Sequence, residues 1–265
     1  MSIKSKSGNI KIVIIVAIIL LALVAFMVNK FILPRLVNTA VNKSVDAATE
    51  QLQSTDFSTA KTQQISENIT TDGAIVVLST NSGIVSFNSS APSNTIIGTA
   101  QYFGNKPTIA TEVKTDDATR QQANFLRINS QNDQPEKYDL HVPTNKPLGF
   151  IINIGAGIVN LNLSDSLTEN ILTNIGAGKI VITFSDKTSV ETELNAGTGT
   201  IELSIPKNIG KNIVFSQGVP TNLELGADFI KTSSGFQSAN YSTAEFKADI
   251  TIAQGVGGFT INTIE

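Results

Sequence analysis

The sequence predicts a mainly β protein: a single-chain β-solenoid with about 21 residues per coil, preceded by a transmembrane helix and a short helical stalk. Three observations carry this expectation. An unbroken apolar run lies near the N-terminus, a glycine-containing motif recurs every 21 residues, and apolar and other residues alternate strictly after each copy. The implied order is a short basic tail over 1–11, the anchor over 12–33, a helical stalk and polar linker over 34–72, and the β domain over 73–265.

The anchor is the run Ile12 to Val28, which contains no polar residue. At ~1.5 Å per residue it spans about 26 Å, and Ile10 and Phe31–Leu33 extend it toward the ~30 Å hydrocarbon thickness. A buried core helix of this length would normally carry polar positions. A cleavable signal peptide would use Lys4, Lys6 and Lys11 as its basic region. However, the run is long for one, and Asn29 to Arg35 holds no Ala-x-Ala site. The expectation is therefore an uncleaved single-pass span in the cell membrane, with the lipid bilayer as its first partner. Basic residues before the span outweigh Lys30 and Arg35 after it, so the N-terminus is expected in the cytoplasm. A charge-poor, Thr/Asn/Gly-rich C-terminal domain fits the extracytoplasmic side.

From Leu36 to Leu52, apolar residues return at three- and four-residue spacing, which predicts a helix continuing the anchor. Its stripe offers a surface for self-association. Gln51 to Thr71 is polar and without clear period, and reads as a linker.

The repeat dominates the rest of the chain. Asn153-Ile-Gly-Ala-Gly157, Asn174-Ile-Gly-Ala-Gly178 and Asn195-Ala-Gly-Thr-Gly199 are 21 residues apart. A fixed period of this size means a stacked architecture whose units cannot bury an apolar face alone. After each copy come Val159, Leu161 and Leu163; Ile180, Ile182 and Phe184; and Ile201, Leu203 and Ile205. Alternate side chains of a strand share a face, so these nine line a core. A second inward-facing strand precedes each Gly-x-Gly turn, through Phe150, Ile152 and Ile154 and their equivalents. Stacking at ~4.8 Å makes columns of like residues. Gly155, Gly176 and Gly197 form one, and Gly157, Gly178 and Gly199 another, where positive φ or close backbone approach is expected. Asn153, Asn174 and Asn195 form an amide ladder. These nine corner residues are the site the sequence singles out. Gly83-x-Val85-x-Phe87 and Gly257-x-Phe259-x-Ile261 are imperfect copies, Leu223 and Leu225 fit after a slip, and the region has room for about nine coils. A period of two excludes a helical repeat, and a plain up-and-down barrel would not need the 21-residue register.

Tyr138-Asp-Leu-His-Val-Pro143, Ile152-Asn-Ile-Gly-Ala-Gly157 and Ile175-Gly-Ala-Gly-Lys-Ile-Val-Ile182 resemble the toast-rack β-solenoid domains and the related putative-adhesin domains of bacterial membrane proteins. The likeness is firmest over about 137–206. It implies an envelope-associated, non-enzymatic role. The expected function is a scaffold, sensor or interaction surface with a protein or cell-wall partner, and the alternative is an adhesin-like binding module for external glycans or surfaces. Relatives of this kind often carry several membrane helices, whereas this chain has one.

Composition narrows the chemistry. With no cysteine, disulfides, thiolate zinc sites and thiol catalysis are excluded. A net charge of -3 with no basic stripe argues against nucleic acid as a partner. Asp165 and Asp186 fall at equivalent places, so stacking would bring their carboxylates to roughly 5 Å, a retaining glycosidase separation. Both follow serines in turns near Lys187 and Lys207, with no aromatic platform, which reads as exposed turn chemistry. His141 alternates with Leu140 and Val142 and faces outward. Gly155-Ala-Gly lacks the third glycine and helix of a dinucleotide fingerprint. Glycines without regular aspartates do not make a calcium-binding roll. The expectation is no catalytic residue, cofactor or metal. The ending from Gly255 to Glu265 is apolar, so a terminal coil there offers a second route to oligomerisation.

Overall fold

The computed structural model describes residues 43, 45–91, 94–115, 122–217, 222–226 and 228–265. The tail, the anchor and the first part of the stalk lie outside the described residues. Among the described residues no helix is long and apolar enough to cross a membrane. A helix over 45–53 forms the last part of the expected stalk, with Val45 and Leu52 buried.

Among the described residues, fourteen strands form one mixed sheet. In chain order they are β1 (Lys61–Asn68), β2 (Gly73–Ala91), β3 (Thr95–Tyr102), β4 (Thr108–Thr115), β5 (Gln122–Asn129), β6 (Glu136–Pro143) and β7 (Pro147–Asn162). Then come β8 (Leu167–Thr183), β9 (Val190–Pro206), β10 (Gly210–Gln217), β11 (Asn222–Glu224), β12 (Phe229–Lys231), β13 (Gly235–Ser238) and β14 (Lys247–Ile264). The polar stretch expected to be a linker thus supplies β1, which pairs antiparallel with β3. A strand at a sheet's edge needs no clear apolar period, and only Ile65 of β1 is buried.

The five longest strands, β2, β7, β8, β9 and β14, lie side by side in parallel. Val159 pairs with Ile180 and Ile180 with Ile201, so like residues of successive repeats are neighbours. The imperfect copies join the same columns: Gly83, Gly157, Gly178, Gly199 and Gly257 are in register across the five strands. Leu223 of β11 pairs with Phe259 and extends the Val159 column.

The repeat is built differently from a pair of strands joined by a Gly-x-Gly turn. Each copy is one continuous strand that bends at its glycines. Ile152 and Ile154 are buried before the bend, Gly155 and Ala156 are exposed, and Gly157, Val159 and Leu161 are buried after it. The inward set shifts from even to odd positions, which turns both arms toward the same interior. Phe150 of one arm and Phe87 of the other meet edge-to-face at 5.1 Å, so the core lies between the arms.

The arms separate at either end of the stack. The two halves of β2 pair with β5 and β6, and those of β14 with β10 and β11. These flanking strands replace further full repeats, so among the described residues the stack holds five long strands rather than about nine coils. The C-terminal strand is not a terminal coil either: β14 is inserted between β9 and the β10/β11 pair. The apolar character of Gly255 to Ile264 reflects an interior position, and the sheet path ends at β1 and β12.

Two core positions carry a polar misfit. Thr173 and Thr192 are buried in columns otherwise filled by apolar side chains, and their hydroxyls have no hydrogen-bond partner. A buried unpaired hydroxyl costs ~1–3 kcal/mol, while valine keeps the shape. Thr173→Val and Thr192→Val are each expected to raise stability by about 1 kcal/mol. Urea midpoints of the two variants check this.

Candidate interaction groove at the glycine corners

The outer side of the bend forms a groove of about 870 Å³ running across the stacked strands. Its floor is made of the corner residues themselves. Asn174 Nδ2 donates to Asn153 Oδ1 at 2.8 Å, and Asn195 Nδ2 donates to Asn174 Oδ1 at 2.9 Å. Asn153 Nδ2 continues the ladder to Ser79 Oγ at 3.3 Å, and Ala253 ends it on β14. The three asparagines are half-buried and line the groove.

Beside the ladder runs the first glycine column: Gly155, Gly176, Gly197 and Gly255, all exposed. A Cβ on Gly176 or Gly197 would lie 2.4 or 2.5 Å from the carbonyl oxygen of the preceding strand's glycine. This column exists because the backbones approach too closely for a side chain. The second column, Gly157, Gly178 and Gly199, is buried behind it, and there the constraint is doubled. Gly178 and Gly199 have φ of 145° and 142°, and a Cβ on either would sit 1.8 Å from a carbonyl oxygen.

The structure therefore brings all nine corner residues together in two layers. The ladder asparagines and the first glycine column, six of the nine, line the groove, and Gly255 of β14 joins them. The second column stays behind them as part of the buried backbone.

The groove's ends come from residues the repeat did not announce. Ser130 and Gln131, after β5, border one end, and Gln217 of β10 borders the other. Behind Ser130 lies Glu136, fully buried. Its carboxyl group accepts from Ser130 Oγ and Asn132 Nδ2, both at 2.6 Å, and from Thr80 Oγ1 and the Tyr138 hydroxyl, both at 2.8 Å. Burial, then the Glu136 charge and hydrogen bond, push the Tyr138 hydroxyl well above its ordinary range. The sequence signal for this cluster is slight: one glutamate, paired in the sheet with Gly83 of the glycine column. Lys211 is also buried in the stack, where its Nζ donates to the Ile209 carbonyl at 3.3 Å. Burial lowers its ammonium pKa, and Asp228 opposes that shift.

The remaining singled-out residues lie elsewhere. Asp165 is exposed and ion-paired with Lys187 at 2.9 Å. Lys207 pairs with Glu265 instead of an aspartate in the stack. His141 is half-exposed, its Nδ1 2.7 Å from Ser90 Oγ. Among the described residues no cluster of His, Asp or Glu is arranged to hold a metal ion.

One further polar pair sets an alkaline limit. The Tyr241 hydroxyl donates to Asp249 Oδ1 at 2.6 Å, and that bond, with burial and the Asp249 charge, raises its pKa to about 12. An unfolded tyrosine ionises near 10.0, so the unfolded chain loses its proton first. The contribution is whole below pH 10 and is lost as pH rises toward 12. Tyr241→Phe is expected to flatten the decline of stability over that window, as read from urea midpoints taken at several pH values.

A repeat-built, mainly β domain with an uncharged corner groove is the class these features define. The chain belongs to the family described as the N-terminal domain of toast_rack (DUF2154), whose model matches residues 53–204. A crystal structure of a Clostridium sporogenes protein named as a cell adhesion protein shares the fold. It has 20% sequence identity and a TM-score of 0.62, and the match covers 77% of this chain and 100% of that one. Two weaker likenesses are to a Bacteroides fragilis protein named as an adhesin and a Parabacteroides distasonis protein named as a lipid binding protein. The first has 10% identity over 76% of this chain and 97% of that one, with a TM-score of 0.18. The second has 11% identity over the same shares, with a TM-score of 0.20. At those scores neither carries an argument. No curated protein matches the chain.

Proposed function

We propose that this chain is a membrane-anchored, non-catalytic envelope protein whose stacked strands act as a rigid β-solenoid scaffold or sensor, with the corner groove as its interaction surface. One observation carries the reading: the groove is continuous across five strands, and its floor is the amide ladder that the repeat itself generates. A surface built into every repeat is held by inter-strand hydrogen bonds and needs no mobile loop to complete it. Residues Ile12 to Val28 supply the anchor, and the charge-poor domain lies outside the cytoplasm.

The second reading is an adhesin-like module directed at external glycans or surfaces. The shared fold with the Clostridium sporogenes protein named for cell adhesion favours it.

Because the chain has no cysteine, one introduced thiol reports the side of the membrane. Ser58 is exposed, so Ser58→Cys is expected to react with a membrane-impermeant maleimide in intact cells. Labelling only after lysis would overturn the extracytoplasmic placement.

A further inference from the structure

Resting on the reading of the groove as a binding surface, we propose that its ligand is a neutral, linear, β-1,4-linked chain of N-acetylated sugars, laid along the stack with one sugar per strand.

Charge restricts the ligand first. Among the described residues, none that lines the groove is Asp, Glu, Lys, Arg or His. A phosphate-bearing polymer or acidic peptide would bring charges with no counter-charge to meet them, whereas a neutral chain loses nothing there.

The amide ladder restricts it further. Each asparagine amide has two N–H groups and an oxygen with two lone pairs. Asn153 and Asn174 each spend one N–H along the ladder, and their oxygens each accept one bond from the next asparagine. One donor and one acceptor therefore remain for a ligand on each of β7 and β8. Asn195 gives its second N–H to Glu193 Oε1 at 2.9 Å, which leaves it an acceptor. The acetamido group of an N-acetylated sugar carries one N–H and one carbonyl, which matches that set. Because successive sugars of a β-1,4-linked chain are turned over, acetamido groups meet the ladder on alternate strands. The hydroxymethyl group of the intervening sugar, itself a donor and an acceptor, meets it between them.

Spacing decides between a glycan and a peptide. Strand layers repeat every ~4.8 Å, so the ladder column from Ser79 to Ala253 is about 19 Å long. An extended peptide advances ~3.3 Å per residue and falls out of step with the layers. An extended β-1,4-linked hexose chain advances by close to one layer per sugar. Among the described residues no aromatic side chain lines the groove, so sugar faces find no stacking platform. Binding rests on edge contacts that accumulate with length.

The test is calorimetric titration of the full-length chain in lipid nanodiscs with β-1,4-linked N-acetylglucosamine oligomers of two to six sugars. Affinity is expected to rise about tenfold from two sugars to five and to level off there. The six-sugar chain lacking N-acetyl groups should bind several-fold more weakly. Asn174→Leu should weaken the five-sugar complex about tenfold with an unchanged circular dichroism spectrum. Ala253→Asn leaves the ladder intact and adds an amide at its end, so it should strengthen that complex about threefold. Absent binding, affinity independent of length, or variants indistinguishable from the native chain would overturn the proposal. A photocrosslinker attached through Gln131→Cys distinguishes a wrong ligand class from a wrong surface. A non-glycan adduct in intact cells, with no oligosaccharide binding, overturns the ligand class and leaves the groove a binding surface. Neither adduct nor oligosaccharide binding overturns both.

Discussion

Gly178→Ala is expected to abolish cooperative folding of the β domain. The added Cβ would sit 1.8 Å from the Gly157 carbonyl oxygen and 2.8 Å from its carbonyl carbon. Both atoms belong to backbone paired on the next strand, so neither can swing aside as a side-chain end would. The φ of 145° at Gly178 adds strain that any L side chain would bear. Relieving the clash means moving one strand off its neighbour, which breaks pairing on both sides of β8. The loss should exceed about 4 kcal/mol, in the range reserved for broken backbone geometry. Gly104→Ala is the comparison. Gly104 has a φ of 77°, but a Cβ there meets only the Asn132 side chain, its oxygen at 3.3 Å. That variant should lose about 1–2 kcal/mol and still unfold in one transition. A native-like urea midpoint for Gly178→Ala would show that the strands are not packed this closely.

Glu136→Ala is the second large effect. The fully buried carboxyl group accepts four hydrogen bonds, and its removal leaves four donors facing a cavity. Hydrogen bonds to a charged group are worth ~1.5–3 kcal/mol each, though in a shared network they do not add. A net loss of about 3–5 kcal/mol is expected from urea unfolding. Glu136→Gln keeps the shape and one acceptor oxygen. Hydroxyls can rotate to meet its amide whereas Asn132 cannot, so about 1–3 kcal/mol should be lost. Hydrogen exchange locates the damage: amides of 130–136 and of β2 around Thr80 should open first, because Thr80, Ser130 and Asn132 are tied through this one group. Equal protection in the variant and the native chain would contradict that assignment.

The two effects differ in how far they can be read without coordinates. The Gly178 constraint is legible, because a glycine returning every 21 residues after a fixed asparagine has few other causes. Glu136 is not. It sits in a non-repeating segment, and its four partners come from Thr80, Ser130, Asn132 and Tyr138, separated by as much as 56 residues. Likewise β1 is hidden in a polar stretch, since an edge strand buries too little to show a period. The bend reads from residue order as a turn between two strands, which the structure corrects. Alternation shows that the inward set changes parity, but not whether the hydrogen-bond ladder continues through the change.

The mainly β class, the inward-facing residues, and the register that brings Asn153, Asn174 and Asn195 together are all legible in residue order. Those come from local rules, a period of two within strands and a period of 21 between them. Long-range pairing sets the rest: the C-terminal strand enters the middle of the sheet, and separate strands cover each arm at both ends of the stack. The same pairing opens the corners into a groove. Pairing between distant segments depends on which exposed edge is free to accept a strand, and adjacent residues do not encode that.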